Sequence, residues 1–398
     1  MAATSHERTT FTEVAPVRTR SRAGHRNVLL YATSEADANV LYATRFFCPD
    51  PFIFIRTNKG KRIYVMSDLE IDRARRTSNA DRVLSLSHYT RAAGMRYGKR
   101  LHPADVMAVV LRDLRIRSVI VPESFPSGVT DRLRDRGIAV RVVRDPFFAE
   151  RLRKTPAEAG AIRGTMRAAE KGLQAAVDVL RKSVIRNGWV VHRDRRLTAE
   201  ALREVIEGAV FACGCIATHT IVAHGAQGCD PHQAGSGPIR AHQPVILDVF
   251  PRSTRTGYYA DITRTLVKGK APDRVKDMYD AVLAGQRLGL RMLRHGARTA
   301  PIHRTILDFF AGRGFETGRM GGRMQGFFHA TGHGVGLDLH EPPRIAINDL
   351  VLAEGMVVTV EPGLYYHPTG GIRIEDTVMV TRRGIRNLTR FPKFLEID

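Results

Sequence analysis

Four acidic residues in the C-terminal half interrupt segments whose other residues are typical of buried β-strands. Asp248 ends an apolar run in "VILDV", and Glu361 ends another in "VVTVE". Asp261 lies in "GYYADITRT" and Glu375 in "GGIRIEDTVMV", each again predicted as a strand. Because side chains alternate along a strand, Asp261 would share a face with Thr263, and Glu375 with Arg373. A single acid of this kind could face solvent at a strand edge, but four in matching positions make that interpretation much weaker. We therefore predict that the four carboxylates meet in space.

Carboxylates that gather inside a protein require positive charge close by. Two like charges about 4 Å apart repel each other by about 4 kcal/mol at an effective dielectric constant of about 20. Several carboxylates with one imidazole suit a pair of divalent ions of the manganese type, with cobalt, iron or zinc as alternatives. Such ions lie roughly 3.5–4 Å apart and hold a water between them. The sequence thus predicts two divalent ions per chain, with His333 as the nitrogen ligand.

The segment "FFHATGHGVGLDLHEPP" carries that imidazole among three histidines, His329, His333 and His340. The spacing of the first two matches a zinc-protease helix, but that motif needs Glu directly after the first histidine, and here Ala330 follows. The alternating glycines would each cost a helix about 1 kcal/mol relative to alanine. Such glycines suit extended backbone where another chain segment comes close. We predict that a strand or its flanking turn presents these histidines.

Five segments of this chain resemble, in the same order, those of the pita-bread metallopeptidases, the family of aminopeptidase P, prolidase and methionine aminopeptidase. They are "ILDVF", "YYADITRT", "HATGHGVGLDLHEPP", "VVTVEPGLY" and "GIRIEDT". The resemblance begins at about residue 155 and continues to the C-terminus. It implies an α+β catalytic domain, a smaller α/β accessory domain before it, and a homodimer.

The resemblance also implies a role for each matching residue. Asp248 would bind the second ion, Asp261 and Glu375 would bridge both ions, and His333 and Glu361 would complete the first site. The residues implied to act on the substrate or beside it are His232, His329, His340, Glu361 and Arg373. Glu361 or Glu375 would accept a proton from the attacking water. His340 would help to stabilise the oxyanion, and His232 would help to deliver a proton to the prolyl nitrogen.

His329, Arg373 and the leading domain favour an Xaa-Pro peptidase over a methionine aminopeptidase. We expect metal-dependent cleavage between an N-terminal residue and proline, as an aminopeptidase. An Xaa-Pro dipeptidase (prolidase) is the main alternative, and a non-catalytic binding protein that uses its basic surface is a more remote one. The chain departs from the family pattern where Val249 and Phe250 follow Asp248, and where "PRSTRTGYY" lengthens the next connection.

The elements that position these residues follow from periodicity and turn signals. The predicted organisation is a flexible tail (1–24), an α/β domain (25–152) and the catalytic domain (153–398). "PFIFIRT", "GKRIYVMS", "RSVIVP" and "IAVRVV" predict strands in the α/β domain. Thr155, Pro156 and Glu158 form the start signal of a long helix, with an N-cap, a first-turn proline and a capping box. After this point, the order helix, helix, strand, strand occurs twice, which indicates a duplicated unit.

Charge and cysteine content limit the other functional classes. The formal net charge of +22 could serve nucleic-acid binding, but the arginines are spread along the chain without a basic block. We predict no specific nucleic-acid partner, and no membrane partner because no apolar run reaches 18 residues. The four cysteines form no CxxC pair, so we expect free thiols, and Cys213 and Cys215 lie in a segment that predicts a helix. Together with an N-terminus that lacks the apolar core of a secretory signal, they predict a reducing, cytoplasmic location.

Overall fold

The computed structural model describes residues 26–398, so the predicted N-terminal tail lies outside the described part of the chain. Its first region is a six-stranded sheet with helices on both faces. The elements are β1 Val28–Ala32, α1 Ala38–Thr44, β2 Phe52–Arg56, β3 Arg62–Met66, α2 Ile71–Thr77, β4 Arg82–Ser85, α3 Leu86–Tyr97, α4 Pro103–Asp113, β5 Ser118–Pro122, α5 Ser127–Asp135 and β6 Ala139–Val143. The strand order in the sheet is β4-β3-β2-β1-β5-β6.

Alternating apolar residues explain why this first sheet is covered on both sides. Leu29, Ile53 and Ile55 face a core built with helices α3 to α5, whereas Leu30 and Phe54 face helices α1 and α2. All four strands predicted here are present. Strands β1 and β4 were not predicted, and β4 reads "RVLS", too short and polar to give a clear strand signal.

A 27-residue helix opens the second region, and its start is the one that the sequence predicts. The Thr155 side chain accepts the N–H of Glu158, and the Glu158 carboxylate accepts the N–H of Thr155. The elements as far as the first large sheet are α6 Pro156–Lys182, β7 Val184–Arg186, β8 Trp189–His192, β9 Arg195–Arg196, α7 Ala199–Phe211, β10 Cys215–Ile216, β11 Ile221–His224, β12 Val245–Val249, β13 Arg252–Ser253 and β14 Ile262–Lys268.

The second half repeats two helices followed by an antiparallel sheet, as predicted. Its elements are α8 Asp273–Met292, α9 Thr299–Gly312, β15 Gly318–Met320, β16 Arg323–Gln325, β17 Gly332–Gly334, β18 Glu341–Ile345, β19 Val357–Val360, β20 Gly363–Tyr366, β21 Gly370–Arg373, β22 Asp376–Val380, β23 Ile385–Asn387 and β24 Glu396–Ile397. The two main sheets have the orders β11-β12-β14-β24 and β18-β17-β19-β22-β23. Each sheet packs against the helix pair that precedes it.

Two sequence predictions about local structure are wrong. "GGIRIEDTVMV" is not one strand, because β21 pairs with β20 while β22 pairs with β19 and β23. The chain changes sheets at Glu375, whose N–H is bonded to the carbonyl of Thr263 in the other half. Cys213 and Cys215 do not share a helix, since α7 ends at Phe211. Within residues 26–398 all four cysteines are free, as expected.

The longer connection after Asp248 contacts the N-terminal region. Gly257 adopts a positive φ of 76°, and an added Cβ there would lie 2.4 Å from Leu41. The Tyr258 hydroxyl donates to Glu158 at 2.6 Å and accepts from Arg45 at 3.0 Å. This departure from the family pattern is therefore part of the contact between the two regions. No helix within residues 26–398 has the length and apolar character needed to cross a membrane.

Arg264 connects the two halves of the second region through a buried ion pair and hydrogen bonds. Its guanidinium is about 1% exposed and lies 2.9 Å from the carboxylate of Asp376, which is equally buried. It also donates to the carbonyls of Phe391 and Pro392, at 2.7 and 3.0 Å. Since β14 carries Arg264 and β22 begins at Asp376, this ion pair connects the two sheets.

We predict that Arg264→Met lowers the free energy of unfolding by about 3 kcal/mol, because it removes one partner of a buried ion pair. Among residues 26–398, Asp376 then keeps only Lys393 as a cationic partner, and the carbonyls of Phe391 and Pro392 lose their donor. Urea unfolding of the metal-free protein measures the change. Arg382→Met is the matched control, since Arg382 is 82% exposed where it pairs with Glu354, and its loss should cost less than about 1 kcal/mol. Equal effects of the two substitutions would contradict the role given to Arg264.

Candidate metal centre

The predicted ligands come from five chain segments that meet where the two sheets join. Asp248 lies in β12 beside Thr263 of β14, and Asp261 directly precedes β14. In the second half, His333 is the central residue of β17, Glu361 follows β19, and Glu375 lies between β21 and β22. Strand ends at a junction between sheets therefore bring the side chains to one place.

Three of the predicted ligands form a compact set. One ligand atom from each of Asp261, His333 and Glu375 lies within 4.8 Å of the other two. The Nε2 atom of His333 is 3.6 Å from an Asp261 oxygen and 3.5 Å from a Glu361 oxygen. The structure thus gathers four of the five residues around the His333 ring.

Asp248 joins the cluster through a buried arginine. Arg373 donates to one Asp248 oxygen at 2.7 Å and, through Nε, to the Thr263 hydroxyl at 3.2 Å. The same hydroxyl donates to Glu375 at 2.8 Å. Arg373 and Glu375 therefore point to the same place, as the sequence predicts, although the strand that was expected to carry both is interrupted.

The orientation of His333 leaves one ring nitrogen free for a ligand. Its Nδ1 donates to the carbonyl of Gly334 at 3.2 Å, which directs Nε2 at the carboxylates. This is the usual arrangement for a histidine that binds a metal, because the second bond fixes both tautomer and ring angle. The neighbouring glycines are needed for close backbone approach, as predicted: an added Cβ at Gly332 would lie 2.0 Å from the carbonyl of Thr359.

Two carboxylate oxygens at the centre have no hydrogen-bond partner within residues 26–398. They are Oδ1 of Asp248 and Oε1 of Glu375, both fully inaccessible to solvent. A buried charged oxygen without a partner is costly. Four carboxylates and one imidazole form the donor set that divalent ions of the manganese type accept. The residues present therefore fit the two divalent metal ions that the sequence predicts.

Charge repulsion in the cluster is visible in the pKa values. Burial, with the charges of Glu375, Asp248 and Glu361, raises the pKa of Asp261 well above its usual range. Burial raises the pKa of Glu361 to about 7, although Arg373 opposes that rise. Burial lowers the pKa of His333, so the ring is neutral as a ligand. The site without metal thus holds protons that bound cations would displace.

The remaining predicted histidines surround the centre in different ways. The His340 ring lies perpendicular to that of His333, with ring centres 4.3 Å apart, and burial lowers its pKa to about 4. His329 bonds to the carbonyl of Ala330 through Nδ1 at 2.8 Å and to the Tyr365 hydroxyl through Nε2 at 2.9 Å. Both of its ring nitrogens are therefore engaged within the protein.

His232 is exposed, but it lies close enough to influence the site. A positive charge on its ring lowers the pKa of Glu361, His329 and His340. The preceding carbonyl, that of Pro231, accepts a hydrogen bond of 3.4 Å from Arg373. The loop that carries His232 is thus tied to the same arginine that holds Asp248.

Sequence reasoning assigned no role to Tyr365 or Thr263, yet both are central. The buried Tyr365 hydroxyl accepts from Arg373 at 3.0 Å while it bonds His329. Thr263 links Arg373 to Glu375. Both residues lie inside the motifs "VVTVEPGLY" and "YYADITRT", and Thr263 shares the predicted strand face of Asp261. A search for hydroxyl groups on the acid-bearing faces could have identified Thr263.

Residues 160–382, more than half of the chain, match metallopeptidase family M24, and the chain belongs to this family. The predicted family is confirmed. The chain is 29% identical over 281 residues to the Xaa-Pro dipeptidase of Pyrococcus horikoshii, covering 69% of this chain and 74% of that protein. It is 30% identical over 335 residues to Xaa-Pro aminopeptidase 1 of Streptomyces coelicolor, covering 76% and 65%.

Other relatives match over a shorter span. The uncharacterized peptidase YqhT of Bacillus subtilis is 37% identical over 179 residues, which are 44% of this chain and 48% of that protein. The chain thus aligns with about half of the length of some curated relatives. The solved structure of an X-Pro aminopeptidase from Thermotoga maritima has a TM-score of 0.78 at 23% identity, covering 94% of this chain and 98% of that one. That likeness confirms the predicted fold.

We predict that the metal-free protein becomes less stable as the pH rises from about 5 to about 7. The pKa of Glu361 is about 7 in the folded protein, whereas in the unfolded chain it has the ordinary value of 4.5. The folded state therefore binds more protons in this window, and deprotonation favours unfolding. Urea unfolding of wild type and Glu361→Gln, both treated with a chelator, measures the effect. An equal pH dependence in the two proteins would contradict the assignment.

We predict that His333→Ala loses at least one of two bound ions while the fold is kept, since the ring supplies the nitrogen ligand. Elemental analysis of purified protein measures the metal content, and circular dichroism checks the fold. His303→Ala is a control, because His303 is a buried histidine whose Nδ1 bonds the Thr331 hydroxyl at 2.9 Å. Full metal content in His333→Ala would show that the ligand is misassigned.

Proposed function

We propose that this chain is a dinuclear metallo-exopeptidase that hydrolyses the bond between an N-terminal residue and proline. The observation that carries the proposal is the convergence of Asp261, His333, Glu361 and Glu375, with Asp248 joined through Arg373. The names of the relatives, Xaa-Pro dipeptidase and Xaa-Pro aminopeptidase, support the substrate class. The ligand set supports two divalent ions per chain, and we propose manganese as the native metal.

The ions would be held by the five predicted ligands, Asp248, Asp261, His333, Glu361 and Glu375. Bound divalent ions supply Lewis acidity, which makes a water nucleophilic at neutral pH and polarises a carbonyl. The carboxylate of Glu361 would accept a proton from the attacking water, which it adjoins as a ligand of the same ions. Arg373 holds Asp248 in place through the bond of 2.7 Å.

The histidines act on charge that develops during the reaction. His340 is neutral at neutral pH because its pKa is about 4, so it can donate an N–H to the oxyanion. His232 is exposed beside the site and can deliver a proton to the prolyl nitrogen as it leaves. His329 accepts the Tyr365 hydroxyl and so fixes the tyrosine against Arg373. We propose that His329 also contacts the substrate, once a ligand displaces this hydroxyl.

Space beside the centre supports an aminopeptidase. A cavity of about 440 Å³ adjoins Tyr365 and Phe328 and extends to the hairpin formed by β15 and β16. Phe328 packs on Tyr365 with ring centres 5.3 Å apart, so the cavity begins at the hydrogen-bond network of the site. A peptide with residues beyond proline would fit in this cavity.

One observation favours the dipeptidase as a second candidate. Arg323 lines the same cavity, and within residues 26–398 no carboxylate lies within ion-pair distance of it. A cation there could bind the terminal carboxylate of a dipeptide. The homodimer and the cytoplasmic location stay predictions.

We predict that the manganese-loaded protein cleaves Ala-Pro-Ala with a higher kcat/KM than Ala-Pro, and that a chelator abolishes both activities. Ala-Ala-Ala should not be cleaved at a comparable rate, because the site is proposed to select proline. Arg323→Met separates the two candidates. If only Ala-Pro is cleaved, and Arg323→Met raises its KM, the dipeptidase is the correct function. No cleavage of any Xaa-Pro peptide would exclude both candidates.

A further inference from the structure

A buried ion pair joins the segment before α6 to the loop that carries His340. The ammonium of Lys154 lies 2.5 Å from one oxygen of Glu341, with side chains 2% and 6% exposed. Arg151 approaches the other oxygen of Glu341 at 3.0 Å. Burying such charges is costly, and their attraction offsets the cost only when the geometry is good. The proposed reaction uses none of these three side chains directly.

The segment that supplies the two cations is itself fixed. The N–H of Lys154 donates to the carbonyl of Gly355 at 2.7 Å, and Arg153 donates to the carbonyl of Glu354 at 2.8 Å. These carbonyls belong to the turn that leads into β19, the strand directly followed by Glu361. The cations are therefore anchored to the sheet that carries His333 and that leads into Glu361.

The carboxylate of Glu341 packs against the backbone of the loop between His333 and His340. An added Cβ at Gly336 would lie 2.5 Å from this carboxylate, so loop backbone rests directly on it. Glu341 also pairs with Gly334 across β17 and β18. His340 is the residue immediately before Glu341, so the two share a peptide bond, and the His340 ring packs against that of His333.

We propose that Glu341, held by Lys154 and Arg151, is a positioning residue that fixes the ring of His340 for catalysis. The inference rests on the proposed function, in which His340 stabilises the oxyanion. A displacement of about 1 Å in such a group can cost on the order of 100-fold in rate. Cations anchored to β19 thus set the place of His340 relative to Glu361 and His333.

Glu341→Gln tests the proposal, since it keeps the size of the side chain and removes its charge. We expect kcat of the manganese-saturated enzyme to fall by about 10-fold or more, with KM changed by less than about 2-fold. In a His340→Ala background, the same substitution should change kcat by less than about 2-fold, because the group that it positions is absent. A purely structural role would lower the melting temperature but leave kcat unchanged, or lower kcat equally in both backgrounds.

Asp338→Asn is the matched control. Asp338 lies 2.6 Å from the same Arg151, but its side chain is 49% exposed. The carboxylate that packs against Gly336 is that of Glu341, not that of Asp338. Loss of the Asp338 charge should leave kcat within about 2-fold of wild type, since exposed ion pairs contribute little. If Glu341→Gln does not fold, Lys154→Gln, in which Glu341 keeps Arg151, is measured in the same two backgrounds.

A measurement without substrate separates this proposal from the proposed function. In protein labelled with ¹⁵N-histidine, the ring signals of His340 are identified by their absence from His340→Ala. We expect Glu341→Gln to shift or broaden these signals, and Asp338→Asn to leave them in place. Unchanged His340 signals in Glu341→Gln would overturn the positioning role. If the wild-type protein cleaves no Xaa-Pro peptide, the proposed function is wrong. The spectra would still show whether Glu341 fixes the ring of His340.

Discussion

Repulsion between buried carboxylates is the constraint on which the rest of this structure depends. Asp248, Asp261 and Glu375 are each less than 10% exposed, and Glu361 lies beside them. In the described part of the chain one buried cation, Arg373, contacts this group directly, through Asp248. One positive charge cannot balance four negative ones, which explains why burial and mutual repulsion raise the pKa values of Asp261, Glu361 and Glu375. Divalent cations are the simplest compensation for such a deficit.

The fold keeps the acids together despite this repulsion by anchoring the strand ends that carry them. Arg264 and Asp376 connect the two sheets, and the N–H of Glu375 bonds to the carbonyl of Thr263 across the junction. Hydroxyl groups of Thr263 and Thr265 bond to Glu375 and to the backbone of Arg373. Because these contacts form between protein groups without any ion, the cluster can be preorganised before metal binds, which is what a precise site requires.

Contacts with the N-terminal region also anchor segments that carry residues of the site. Arg45, Glu158 and Tyr258 link it to the connection before Asp261, while Lys154 and Arg151 link the adjoining segment to the loop after His333. The first link ends three residues from Asp261, and the second ends at Glu341, the residue next to His340. The contacts between regions therefore reach the segments that carry residues of the site.

The sequence predicted the parts of this arrangement that periodicity and residue type encode. The long helix after Thr155, the strand position of His333 and the convergence of acids from both halves follow from local patterns. The break between Arg373 and Glu375 did not, because strand propensity continues through a point where the chain changes sheets. The roles of Tyr365 and Lys154 also escaped prediction, since their partners, His329 and Glu341, are distant in sequence and no local pattern records such contacts.

The central claim is that the five residues bind two divalent ions, and anomalous X-ray diffraction from crystals grown with manganese tests it most directly. The account predicts two anomalous peaks per chain, both among Asp248, Asp261, His333, Glu361 and Glu375. A map with no peak among these residues, or with peaks only elsewhere on the chain, would contradict it.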